Sequence, residues 1–255
     1  MNVYESGQKS APPPARAPAF NLPGVIVWLS AILIAIQLIR SFVLPQNLDN
    51  AVLFYFAFWP IRYEPGVFMN GGTPGGLPAD IWSFLTYSLL HGGAMHIFLN
   101  LLWMAIFGSA VARRFGTSRF LILSALCAIG GAVLHLFTHW GETIPMIGAS
   151  AAISGQMAVA VRFVFELGGP LGAIRRTDAA AYRVPAMPLA VCMRNKSVIG
   201  FTAAWFALNL FFGITGGSAG TSIAWQAHIG GFLTGLALFP LLDPVPPRAP
   251  SRPLR

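Results

Sequence analysis

The sequence predicts an all-α integral membrane protein, a bundle of six transmembrane helices. Three observations lead there. The 255 residues are 55% hydrophobic and only 9% charged, against about 25% charged in soluble domains. The apolar residues fall in runs long enough to cross a bilayer, which takes about 20 residues. The positive charges fall between those runs, predominantly on one side, as in proteins that cross a membrane repeatedly.

The runs can be taken in order. Val25 to Leu44 forms the first span, ended by Pro45. Arg40 lies close enough to that end to snorkel to the interface. Ala51 to Trp59 is apolar but too short to cross, so it reads as an interfacial or re-entrant piece. The Gly/Pro-rich stretch that follows, to Asp80, reads as a long loop. Ile81 to Ala112 contains no Asp, Glu, Lys or Arg. Its first part, through His91, is expected to be a loop or short helix. The second span is then Ala94 to Val111. Phe120 to Thr138 is the third and Ser150 to Phe165 the fourth. Ser197 to Leu242 is uncharged and too long for one helix. The stretch Gly213-Ile-Thr-Gly-Gly-Ser-Ala-Gly220 divides it into a fifth and a sixth. Residues 1–20 are polar and proline-rich, lack the apolar core of a signal peptide, and are expected to form a disordered tail. The membrane domain is 21–243, and 244–255 form a second tail.

Six spans put both termini on one side. On that assignment fourteen of the sixteen lysines and arginines share the side of the termini, and only Arg40 and Arg62 fall opposite. The positive-inside rule then makes both termini cytoplasmic. The net charge of +8 could point to nucleic acid, but the arginines do not gather on an aromatic-interleaved module, and no such partner is expected. Cys127 lies in an apolar run and Cys192 in a basic loop, so no disulfide between them is expected.

This topology gives spans two, four and six the same starting side. His96, Asn100, Ser150 and His228 then share one depth near the outer leaflet. Polar groups within a span usually face the bundle interior or a water-filled cavity. Singly, a serine at a helix start is an ordinary N-cap, and a membrane histidine is an ordinary interhelical hydrogen-bond partner. Gly231 and Gly235 share the His228 helix face, and Ala151 and Gly155 offer a matching small surface on span four. Small residues at that spacing let helices approach closely, with or without chemistry. His96 and Asn100, four apart, project from one face and can both donate hydrogen bonds. Gly148-Ala149-Ser150 enters span four where backbone N–H groups are unpaired and the helix dipole is positive. An anion forming beside Ser150 would meet those donors, as an oxyanion hole requires.

Three segments resemble the rhomboid family of intramembrane serine proteases. His91-Gly-Gly-Ala-Met-His96-Ile-Phe-Leu-Asn100 is similar to that family's His-x-x-x-Asn motif preceded by another His. Gly148-Ala149-Ser150-Ala151 is similar to its Gly-x-Ser-Gly, and Ala227-His228-Ile-Gly-Gly231-Phe-Leu-Thr-Gly235 to its Ala-His-x-x-Gly-x-x-x-Gly. The resemblance covers about Ile81 to Leu242 and implies a six-transmembrane-helix rhomboid-like bundle. It also implies Ser150 as nucleophile, His228 as general base, and His96 and Asn100 as oxyanion-stabilising side chains. Gly148, Gly231 and Gly235 would support the helix packing. The motifs hold no Asp, so a Ser-His dyad is implied, its imidazole oriented by packing. No metal or other cofactor is implied. The expected partners are transmembrane protein substrates and the lipid bilayer, in a bacterial inner membrane.

The sequence departs from the family pattern in places. Ala151 replaces the usual glycine, Ser154 stands where some members pack an aromatic on the catalytic His, and Trp82-Ser83 replaces a common Trp-Arg. A catalytically inactive, membrane-protein-binding relative is therefore the first alternative. A metal or haem protein is another, because His135 and His139 are four apart as a ligand pair could be. No His-Glu-x-x-His accompanies them. Proton- or ion-coupled transport is disfavoured by the lack of charged residues within the spans.

Overall fold

A computed structural model describes residues 21–69, 72–174, 178–215 and 223–247. The expected tail at 1–20 lies outside these residues, as do most of the Gly213–Gly220 break, Arg175, Arg176 and the end of the C-terminal tail. The described residues are helical, with no strand and one isolated bridge between Phe58 and Met146. In chain order, α1 is Gly24–Val43, α2 Gln46–Phe56, α3 Gly76–Thr86, α4 Ala94–Phe115, α5 Thr117–Thr138, α6 Ser150–Ala160, α7 Lys196–Thr215 and α8 Trp225–Leu242. Five of these, namely α1, α4, α5, α7 and α8, are long and apolar enough to cross a membrane.

Most boundaries move little from the expected ones, with two informative exceptions. α4 runs on past Val111 to Phe115 through a π-helical turn at Met104–Gly108, which carries Arg113 and Arg114 inside the helix. The expected fourth span, Ser150 to Phe165, has only eleven residues of α-helix before the chain continues in turns. Every residue of α6 from Ala151 to Ala160 is buried. It needs no lipid-facing stripe because other helices surround it, principally α5 and α8.

The outer helices are apolar on the outside. Trp28, Phe42 and Val43 on α1 are each 70% or more exposed, and Val198 is the one buried residue reported on α7. Such surfaces would aggregate in water and are satisfied by lipid.

The two ends of the bundle differ in charge chemistry. At one end Arg113 donates to Asn21 O at the start of α1. Beside it, Arg114 is fully buried and makes a bidentate pair with Asp243, at 2.8 Å to each carboxylate oxygen. The same guanidinium donates to Tyr182 O and Val184 O and lies over the Phe163 ring. Arg162 donates to Met187 O and lies over Phe239. The end of α4, the end of α8, the segment after α6 and the connection from 178 to 195 thus meet in one cluster. At the opposite end Arg40 pairs with Asp49 and donates to His91 O, and Arg62 pairs with Asp80. The two arginines that the charge count sets apart from the other fourteen lysines and arginines are each neutralised by a carboxylate.

Close helix approach sets the centre. A Cβ built on Gly231 would lie 2.0 Å from Ala151 O, and one on Gly235 2.5 Å from Gly155 O. One on Gly155 would lie 2.2 Å from Cys127 Sγ. α8 therefore rests on α6 backbone to backbone, an approach that glycine alone permits. Ala151 is one of the departures from the family pattern, and its methyl has a place. It faces Gly131 of α5, where a Cβ would come within 2.5 Å of it.

Two stability outcomes follow. Gly231→Ala should cost about 3 kcal/mol by forcing a methyl onto a backbone carbonyl, whereas Gly200→Ala, with nothing within 4 Å, should leave the thermal midpoint in detergent unchanged or raised. Asp243→Ala should cost about 3–5 kcal/mol by leaving the buried Arg114 charge uncompensated. A wild-type unfolding midpoint in that variant would show the pair to be dispensable.

Candidate active site

Ser150 is placed by backbone rather than by its own side chain. The segment entering α6 is held by reciprocal bonds between Phe58 and Met146, 3.1 and 2.8 Å long, and by Gly148 N–H donating to Tyr87 O at 3.0 Å. Gly148 has φ +123°, a conformation that side chains rarely adopt. The turn delivers the chain into α6 at Ser150, so the helix opens with N–H groups that have no intrahelical acceptor.

His228 comes from the first turn of α8. Its Nε2 lies 2.6 Å from Ser150 Oγ. The two residues are 78 positions apart in sequence and meet because α8 seats its glycines on α6. Both are half-buried.

His96 reaches the same place from α4. Gly92 N–H donates to His96 Nδ1 at 3.2 Å. With Nδ1 accepting, the ring proton sits on Nε2, which becomes a donor. That Nε2 lies against Gly148: a Cβ there would be 2.7 Å from it and 3.6 Å from Ser150 Oγ. A side chain at 148 would therefore fill the space between His96 and Ser150. Asn100 sits one turn further along α4, buried, with its Nδ2 donating to His96 O at 2.9 Å. No hydrogen bond joins it to Ser150 or His228 among the described residues; its Oδ1 is buried without a partner. The structure thus brings Ser150, His228 and His96 together around Gly148, with Asn100 bonded to the His96 backbone.

His91 lies behind His96, ring centroids 5.1 Å apart, and is buried with neither ring nitrogen hydrogen-bonded. Burial pushes its imidazole down to about 3, and the nearby His96 adds to the effect. At neutral pH it is an uncharged packing partner.

Two contacts of His228 were not legible in the motifs. Its Nδ1 faces Asn209 Oδ1 of α7, so the imidazole is hydrogen-bonded on both nitrogens rather than oriented by packing alone. Trp205, one turn before Asn209, places its ring 6.4 Å from the imidazole. Ser154, at the position where some members of the resembled family carry an aromatic, donates to Ser150 O at 2.7 Å. The ring beside His228 comes from α7 instead. The available signal was the spacing Trp205, Asn209, Gly213, one face of a helix. Opposite it on α8 stand Phe232, His228 and Trp225.

The histidines proposed as a ligand pair, His135 and His139, stack at 4.1 Å between centroids. Among the described residues no group of three His, Cys, Asp or Glu has the arrangement of a metal site. Cys127 and Cys192 are both buried and unpaired.

The model of the Rhomboid domain matches residues 78–243. Among similar proteins, the rhomboid protease GlpG of Yersinia pestis (strain Pestoides F) is 25% identical over 190 residues, 74% of this chain and 54% of that protein. The rhomboid protease GlpG of Klebsiella pneumoniae subsp. pneumoniae is 28% identical over 196 residues, 76% of this chain and 56% of that protein. The chain spans about half the length of the curated relatives it matches. The matched region contains Ser150, His228, His96 and the glycines between their helices, and the chain belongs to the rhomboid family.

Proposed function

We propose that this chain is an intramembrane serine endopeptidase that cleaves transmembrane proteins near the outer face of the bilayer. The observation that carries the reading is the 2.6 Å contact between Ser150 Oγ and His228 Nε2, in a chain of a family whose similar members are named proteases.

In the proposed reaction His228 takes the hydroxyl proton as Ser150 attacks a peptide carbonyl. The carbonyl oxygen becomes an oxyanion. His96 Nε2–H and the backbone N–H of Ser150 are the donors placed to meet it, and Asn100 adds a second side-chain donor. His228 returns the proton to the departing amine, and the acyl-enzyme on Ser150 is then resolved by water. Ser150 and His228 are only half-buried, which suits a reaction that consumes water. An intact helix hides its peptide bonds in its own hydrogen bonds, so the substrate is a transmembrane segment that unwinds near its outer end.

The proposed topology has six crossings, with α6 and the turns to Phe165 as the fourth. The cluster around Arg114 supports it, because the starts and ends it gathers are those that six crossings put on one side. That side, basic in sequence, is the cytoplasmic one, and the membrane is a bacterial inner membrane. The membrane domain is 21–243, with tails on the cytoplasmic side.

A fluorophosphonate probe tests the nucleophile. Wild-type protein in detergent should be labelled on Ser150, and both Ser150→Ala and His228→Ala should lose labelling. His96→Ala should keep its thermal midpoint and lower turnover about 100-fold, as loss of one oxyanion donor does. Equal labelling of wild type and Ser150→Ala would remove Ser150 from the reaction.

A further inference from the structure

Asn209 stands outside the three motif segments, on a helix otherwise turned towards lipid. α7 meets α8 through a stripe of residues four apart. Trp205 stacks on Phe232 at 5.5 Å between centroids. Gly213 lets Trp225 lie close, since a Cβ there would be 2.4 Å from the indole Cδ1. Asn209 falls between these contacts, and the antiparallel register puts it opposite His228. Its position is therefore fixed by packing above and below.

The orientation of the amide is also fixed. Asn209 Nδ2 donates to Trp205 O at 2.8 Å. A carbonyl oxygen can only accept, so the NH2 group must face it and Oδ1 must face the imidazole. An amide oxygen cannot donate, so His228 Nδ1 must carry the proton. Nε2 is then left with its lone pair towards Ser150 Oγ, the form a general base requires.

We propose that Asn209 is a positioning residue that holds His228 in the Nδ1–H tautomer. It takes, with a neutral group, the place a carboxylate holds in a soluble triad. The inference rests on the protease reading for its catalytic meaning, but not for its geometry. A neutral partner suits the site: a carboxylate on α7 would be a charge held within the apolar bundle. Asn209 adds no charge beside the imidazole.

The test reads the tautomer and the reaction separately. Imidazole nitrogen NMR of the full chain in detergent, with His228 assigned by difference from His228→Gln, should give Nδ1–H in wild type. Asn209→Leu, close in shape but without an acceptor, should shift His228 to a mixture with Nε2–H. It should also slow fluorophosphonate labelling about tenfold or more at an unchanged half-saturating probe concentration. Asn209→Asp keeps an acceptor and should retain the Nδ1–H form. An Nε2–H tautomer in wild type would overturn the proposal. So would a wild-type tautomer and labelling rate in folded Asn209→Leu. If wild type is not labelled at all, the protease reading fails while the tautomer measurement still decides the role of Asn209.

Discussion

The backbone contact between α6 and α8 is the constraint on which the rest depends. Ser150 and His228 come from segments 78 residues apart, and neither has a rigid side chain long enough to reach across an ordinary helix spacing. They meet because Gly231 and Gly235 remove two side chains from α8 where it crosses Ala151 and Gly155. In a bilayer no hydrophobic effect presses helices together, so close van der Waals contact has to supply the association. The same glycines that hold the bundle together therefore set the distance between the two reactive atoms. The same contact helps to bury α6 from Ala151 to Ala160. α6 is the helix on which α5 and α8 are laid.

Polar groups in this bundle are arranged so that few remain unpaired. Arg114 at one end, and Arg40 and Arg62 at the other, each have a carboxylate and backbone carbonyls around the guanidinium. Between the ends, the His228 imidazole is bonded on both sides, by Ser150 and by Asn209. Among the described residues, Asn100 Oδ1 and both nitrogens of His91 are buried without a partner beside the proposed reaction centre, and so are Gln37 Oε1, Arg62 Nε, Ser109 Oγ, His135 Nδ1 and Gln156 Oε1 elsewhere.

Much of this was legible in the sequence, for physical reasons. The long helices were readable because a span must be apolar for about 20 residues, and α1, α4, α5, α7 and α8 all obey that rule. The segment expected as the fourth span starts its helix at Ser150 but is not among the helices of spanning length. A central helix covered by other helices needs no minimum length, so nothing in Ser150 to Phe165 announced that only eleven residues would be helical. Ser150, His228, His96 and the glycines carried a local pattern, and the structure brings them together. Asn209 lies outside those patterns: its spacing with Trp205 and Gly213 marks one face of α7, but that this face meets α8 opposite His228 is a tertiary contact the spacing does not carry. The Arg114–Asp243 pair spans 129 residues and was likewise invisible, although the charge count had put both chain segments at one end. The departure at Ala151 looked adverse in isolation. Its room comes from Gly131 on another helix.

The central claim is that Ser150 and His228 cut a peptide bond inside the membrane. The most direct measurement places purified protein in lipid vesicles with a single-span reporter protein and determines the masses of the fragments. The account predicts one cut in or beside the outer end of the reporter's membrane segment by wild type, and none by Ser150→Ala at equal incorporation. Cutting by the Ser150→Ala protein at the wild-type rate would contradict it.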